Sequence, residues 1–438
     1  MDFVNENEIT TNKNVFCNKN FKLVFFGALV SELGGTIYSF AVSFYILEIT
    51  GNNAFLQGLY LAICGIFSLV FTPIGGVIGD RINKGVIMFV CDYLRGGLIL
   101  AATIMMFFFK EPNVHIITLF IVGALGSAIG GIFSPAAGAL FPHILEENKL
   151  QQANSYISLK SSLIGIVGVI LAGIMYASLS IYALFLFVGI CFVLSGVSEM
   201  FIRYNHKKSP EALTLKLALS DMGEGIKYLK KEKAIVVLMF SILFINFFFV
   251  PITSNFLPYF IKTGVATAPS YLFDKYITPE FWTSIFSMII GISSLLSAAV
   301  LSAKKQAEKC GRFISICLSI VAIIVIGLTV SYKVFVADAR SLNMFLILFR
   351  IGAFAIGILL PCINIPIGTR LMCMVERDKL SKVSSITSVA SQGLIPIATA
   401  LAGVILQYLG STLLLTACAV GFTATALFLL FNKHSKEF

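Results

Sequence analysis

Residues 53–108 read NAFLQGLYLAICGIFSLVFTPIGGVIGDRINKGVIMFVCDYLRGGLILAATIMMFF. Two apolar runs, near 53–78 and 86–108, flank one short polar segment, Gly76-Val77-Ile78-Gly79-Asp80-Arg81-Ile82-Asn83-Lys84. Each run exceeds the roughly 18–20 residues that a helix needs to cross a bilayer. The segment between them is too short for anything but a turn at a membrane surface. Two spans joined in this way set the pattern for the whole chain.

Working outward, apolar runs recur near 22–48, 115–138, 153–177, 180–202, 235–260, 281–303, 312–332, 342–366, 383–408 and 411–431. Of the 438 residues 58% are hydrophobic and 12% charged, about half the charged share of a soluble domain. The sequence therefore predicts an all-α membrane protein with twelve transmembrane helices. The longest polar interruption, 204–233, divides an N-terminal six-helix half (1–203) from a C-terminal one (234–438). Its stretch 213–229 has the helical alternation of an amphipathic helix lying on the inner surface.

A shift of roughly 230 residues lays Ile144–Ser180 on Met374–Gly410. Glu146, Lys149, Leu150, Ser155, Ser158 and Ser161 then meet Glu376, Lys379, Leu380, Ser385, Ser388 and Ser391. Two related halves are thus expected, with a substrate site between them. The net charge of +10 follows the same topology. Lysine and arginine crowd the segments assigned to the cytoplasm, whereas Lys110, Lys262, Lys275, Lys333 and Arg340 fall outside. This bias puts both termini inside and argues against nucleic acid as a partner. The nine cysteines form no C-x-x-C pair, and most lie within apolar runs, so they read as packing residues.

Within the 76–84 segment, Gly76 and Gly79 suit a close helix approach, and Asp80, with Arg81 and Lys84 at headgroup level, suits an ionic inner gate. A tight turn obeying the positive-inside rule is the plainer reading. Asp92 and Arg95, one turn apart near the inner surface, can pair with each other or with Asp80 and Arg81; Glu199 reads similarly. Glu32 lies ten residues past Lys22, about 15 Å deep. It must be neutral, paired or facing a wet cavity, and it is the leading proton-coupling candidate. Arg350 either snorkels outward or faces the cavity, where it would pair with Glu32 or an anionic substrate group. Asn246 reads as a helix–helix hydrogen bond or a cavity residue.

The motif Gly76-x-x-x-Asp80-Arg81-x-x-Lys84 resembles the signature loop of the major facilitator superfamily. Pro135-Ala136-Ala137-Gly138-Ala139-Leu140-Phe141-Pro142, Thr50-Gly51-Asn52, Glu224-Gly225-Ile226-Lys227-Tyr228-Leu229 and Asn364-Ile365-Pro366 are similar to its macrolide-efflux and enterobactin-exporter-like branch. The resemblance implies two pseudo-symmetric halves in the major facilitator fold. Helices one, four, seven and ten would line the cavity, which raises Glu32, Asn246 and Arg350 as proton-coupling or substrate residues. It also implies export of hydrophobic, drug-like molecules from a bacterial plasma membrane, by proton antiport. Span five carries Gly165, Gly168 and Gly173 without the proline of the antiporter glycine motif, so coupling rests on the ionisable residues. An importer or a lipid or siderophore transporter on the same scaffold is the alternative. No H-E-x-x-H, Walker loop or metal-ligand spacing points to an enzyme, a cofactor or a metal. The expected partners are small-molecule substrate, protons and the bilayer, with the chain acting as a monomer.

Overall fold

The computed structural model describes residues 15–204, 233–271, 273–302, 310–337, 341–374, 387 and 391–432. Twelve helices in it are long and apolar enough to cross a bilayer. They are α1 (Lys19–Ile49), α2 (Ala54–Gly79), α3 (Lys84–Phe108), α4 (Pro112–Ile144), α5 (Gln152–Ser178) and α6 (Ile181–Met200). Then follow α7 (Lys233–Val265), α8 (Phe281–Leu301), α9 (Gly311–Val336), α10 (Leu342–Thr369), α11 (Ser391–Tyr408) and α12 (Ser411–Phe431). The amphipathic stretch 213–229 and residues 376–386 of the repeat lie outside the described residues.

Short polar residues start several helices by capping the free N–H groups of the first turn. The side chains of Asn18, Asn53 and Ser180 accept hydrogen bonds from the amides of Phe21, Leu56 and Ala183. The turn after α1 needs two left-handed residues, and Gly51 (φ 64°) and Asn52 (φ 65°) supply them. Exposed apolar side chains such as Phe108, Ile323 and Val420 cover the periphery. In a soluble protein that surface would be a liability; against lipid tails it is the required one.

The packing repeats with a period of six helices. In the first half α2 packs on α4 and α3 on α6; in the second, α8 packs on α10 and α9 on α12. Between the halves, α2 meets α11 and α5 meets α8, two contacts that the same exchange of halves interconverts. The fold is the two-half arrangement that the repeat predicted.

Both seams run from the face that carries Glu48 towards the middle of the bundle. At the first, a Cβ on Gly58 would stand 2.6 Å from the Thr399 carbonyl oxygen and 2.7 Å from the Gly403 Cα. Only glycine permits that approach. Nearby, the amide of Ala54 donates to Gln407 Oε1 at 2.8 Å, and Gln57 Nε2 donates to the Ser254 carbonyl at 3.4 Å. At the second, Ser284 Oγ donates to the Val169 carbonyl at 2.7 Å.

Substituting Gly58 by leucine should therefore separate α2 from α11 and open the Glu48 face. In a cysteine-free background, a cysteine at Ser254 should then react several-fold faster with a membrane-impermeant thiol reagent added from that face. Unchanged labelling would show that the seam does not depend on this glycine contact.

Candidate functional site

A cavity of about 630 Å³ lies between the halves. From the first half it is lined by Glu32, Thr36, Ser39, Phe40, Ser43, Phe44, Leu61 and Ser161, and from the second by Thr253, Ser254, Pro258, Thr283 and Ser287, among others. Its wall is mixed: phenyl rings and aliphatic side chains alternate with hydroxyl groups. Two π-helical turns shape it, Ile164–Gly168 in α5 and Pro251–Phe256 in α7. Such turns loosen the backbone ladder and are frequent at functional sites. Both halves thus bring an irregular turn to the same cavity.

Glu32 projects into this space with 43% of its side chain exposed. Its carboxylate accepts a short hydrogen bond and ion pair from Lys160 Nζ, whose side chain is only 4% exposed. Glu32 lies seventeen residues from Ile49 and Lys160 eighteen from Ser178, so the two stand at one depth in adjacent helices. Arg350, one of the partners the sequence allowed for Glu32, is elsewhere. Lys160 was not singled out in the sequence, although a lysine inside the apolar run 153–177 was the signal that could have found it.

Arg350 places its guanidinium 5.0 Å from the ring centre of Trp282 and donates from Nε to the Leu346 carbonyl at 3.2 Å. It is held by a cation–π contact and its own helix, and neither snorkels freely nor meets Glu32. Asn246 Nδ2 donates to the Ser391 carbonyl at 3.1 Å, so its amide links α7 to α11 within one half.

The gate segment is only partly as expected. The side chains of Asp80 and Arg81 lie outside the described residues. Lys84, the first residue of α3, is 5% exposed, and its amide donates to Tyr204 Oη at 2.8 Å. A Cβ on Gly76 would meet nothing within 4 Å, and one on Gly79 only Ala136 at 3.9 Å. The tight approach of α2 to α4 instead falls at Gly75, where a Cβ would lie 2.5 Å from the Ile132 Cα. One helical position separates the two faces.

Asp92 and Arg95 do pair, with Nη1 3.5 Å from Oδ1. The Arg95 guanidinium is wedged between the rings of Phe133 and Phe192, 5.0 and 5.7 Å away. It borders a second cavity of about 280 Å³ inside the first half, where Gly35, Ser39 and Leu61 are shared with the central cavity. A last cluster closes the Glu48 face. Lys262 Nζ lies 3.1 Å from Glu48 Oε2 and 2.9 Å from Glu280 Oε1, and Tyr176 Oη donates to Glu48 at 2.9 Å. This network joins the two halves, whereas in the sequence Lys262 reads only as a topological charge.

A sequence profile of the Major Facilitator Superfamily matches residues 24–367. The chain is 27% identical over 381 residues to the uncharacterized MFS-type transporter YkuC of Bacillus subtilis, covering 85% of this chain and 82% of that one. It is 24% identical over 242 residues to macrolide efflux protein A of Streptococcus pyogenes, covering 54% and 58% respectively. Among solved structures, a bacterial homologue of the iron transporter ferroportin in an inward-facing state superposes with TM-score 0.70 at 16% identity, covering 97% of this chain and 100% of that one. The nucleoside transporter NupG superposes with TM-score 0.73 at 12% identity, covering 94% and 100%. At these identities the superpositions bear on the fold alone.

The pair at the cavity is asymmetric, because Lys160 is buried and Glu32 half-exposed. Removing the carboxylate strands a buried ammonium, which costs about 3–5 kcal/mol, whereas removing the ammonium leaves a carboxylate that water can reach. Glu32→Gln should accordingly lower the unfolding temperature more than Lys160→Met does, and the double variant should recover part of the loss. Thermal exposure of the buried thiols Cys91, Cys191, Cys317 and Cys418 to a thiol-reactive dye reads this directly. Equal losses in the two single variants would contradict the pairing.

Proposed function

We propose that this chain, which belongs to the Major Facilitator Superfamily, exports a small amphipathic compound across a bacterial cell membrane in exchange for protons. On this reading the Glu48 face is the outer one, both termini are cytoplasmic, and the described conformation is sealed outside. The observation that carries it is Glu32, half-exposed in the central cavity and paired with buried Lys160, below seams that close towards the Glu48 face.

A bound compound meets Phe40, Phe44 and Leu61 on one side and hydroxyl groups on the other. This favours amphipathic molecules over purely hydrocarbon ones. The charge presented to the cavity is the Glu32 carboxylate, since Lys160 is buried behind it. A cationic amine on the substrate, or a proton, can satisfy that carboxylate, and the two compete for one position. Competition of that kind is what exchange requires: the carrier returns with whichever ligand the other displaced.

Opening outward requires α2 to leave α11 and α5 to leave α8, together with loss of the Lys262 bridges. The bridge to Glu48, with 54% of that side chain accessible, is worth on the order of 1 kcal/mol or less, whereas the bridge to Glu280 is largely buried. The opposite gate is assigned to the segment carrying Gly76, Asp80, Arg81 and Lys84, with Asp92 and Arg95 behind it. Outward direction is supported by the similarity to macrolide efflux protein A.

Cells expressing the protein should extrude a cationic dye or a macrolide, and a protonophore should abolish that extrusion. Glu32→Gln should reduce the rate at least tenfold per molecule of transporter in the membrane. Wild-type rates in Glu32→Gln cells, or extrusion that ignores the protonophore, would refute the exchange mechanism.

A further inference from the structure

Of two carboxyl groups buried near the opposite gate, Asp92 stands behind it with Arg95, and Glu199 has no part in that scheme. Asp92 on α3 is fully buried, and Glu199, next to the last residue of α6, is 1% exposed. None of their oxygens accepts a hydrogen bond. Asp92 has the Arg95 guanidinium at 3.5 Å, whereas among the described residues Glu199 is in no ion pair. The Glu199 side chain is instead pressed against α1, where a Cβ on Gly27 would stand 3.3 Å from its Cγ. Ser195 Oγ, equally buried, also lacks a partner beside it.

Deep within the described spans, Lys160 pairs with Glu32 and Arg95 with Asp92, and Glu199 has no paired cation. An ionised carboxylate buried without a hydrogen-bond donor or a paired cation is strongly unfavourable, and a bound proton removes that penalty. We propose that Glu199 is a proton-binding site inside the N-terminal half, and that Lys160 links its occupancy to Glu32.

The surroundings favour exchange over permanent protonation. Glu199 is one residue from the end of α6, so it lies close to the Lys84 face. On its other side the Asp92–Arg95 pair borders the cavity that shares Gly35, Ser39 and Leu61 with the central one. The titratable and charged groups around it are Cys91, Asp92, Tyr93 and Arg95 on α3 and Lys160 on α5, with Glu32 of α1 beyond Lys160. Lys160 is thus within electrostatic reach of Glu199 while it is paired with Glu32. When a substrate cation neutralises Glu32, the Lys160 charge is no longer balanced there and acts on Glu199. A nearby positive charge stabilises the carboxylate, so Glu199 releases its proton. Substrate entry and proton departure then follow from one shared ammonium.

This site deepens the exchange reading above and rests on it for its role, but its proton can be observed without transport. Infrared spectra of the full chain in phosphatidylethanolamine–phosphatidylglycerol liposomes at neutral pH should contain the carbonyl stretch of a protonated carboxyl group, shifted by deuterium oxide. The band should weaken in Glu32→Gln, which leaves the Lys160 charge unbalanced, return when Lys160→Met is added to it, and disappear in Glu199→Gln. Should Glu199→Gln fail to reach the membrane, Glu199→Asp should move the band. Absence of the band in the wild type, its persistence in Glu199→Gln, or an unmoved band in Glu199→Asp would each overturn the proposal. Dye extrusion can fail its own test while this band remains, so the two readings fall separately.

Discussion

Hydrocarbon offers an ionised side chain neither water nor mobile counter-ions, so a charge placed inside a span has to bring its own partner. Glu32 meets that constraint through Lys160, which the chain supplies four helices later. The pairing does more than neutralise a carboxylate. It fixes α5 beside α1 at one depth, and α5 is also the helix that meets α8 across the seam. Any ligand that competes for Glu32 therefore acts on a helix that forms part of the contact between halves. The chemistry of the cavity and the geometry of the seam share one structural member.

The seams themselves are built to part. Across α2 and α11 the contact is backbone against backbone at Gly58 and Gly403. Small residues allow dense van der Waals contact without knobs that must be withdrawn when the halves separate. The polar contribution at the Glu48 face comes from a lysine shared by two glutamates, one of them well exposed. Interactions of that strength hold a conformation without trapping it.

The twelve helices and their division were legible because hydrocarbon enforces them: long apolar runs, basic loops and a repeated polar loop have no other economical explanation. The ionic pairs were harder to read. Glu32 stood out as an acid within an apolar run, but its partner could not be chosen, since pairing depends on how helices rotate about their axes. Lys160 carried an equally strong signal that the serines around it masked. Gly75, rather than Gly76, faces α4 for the same reason: about 100° of helical rotation separates neighbours, and sequence alone gives no origin for that angle. The π-helical turns at Ile164–Gly168 and Pro251–Phe256 left no periodic trace at all. Arg350 and Asn246 were placed on helices expected to line the cavity, yet Trp282 and the Ser391 carbonyl hold them within their own half.

The charges inside the spans are not shared evenly. Glu32, Asp92, Arg95, Lys160 and Glu199 all belong to the first six helices, and among the described spans of the second half only Arg350 lies comparably deep. A carrier whose halves rock apart would have to break and remake every ion pair that crosses between them, with each buried charge stranded at the moment of separation. Confining Glu32–Lys160 and Asp92–Arg95 to one half keeps those pairs whole in every conformation. Among the described residues only the Lys262 network crosses, and it does so near the Glu48 face, where water can replace a departing partner. To the cavity the second half contributes hydroxyls, Pro258 and a π-helical turn, groups that tolerate separation because none of them is charged. On this division the electrostatic switch and the moving seam are different parts of the molecule, joined through α5.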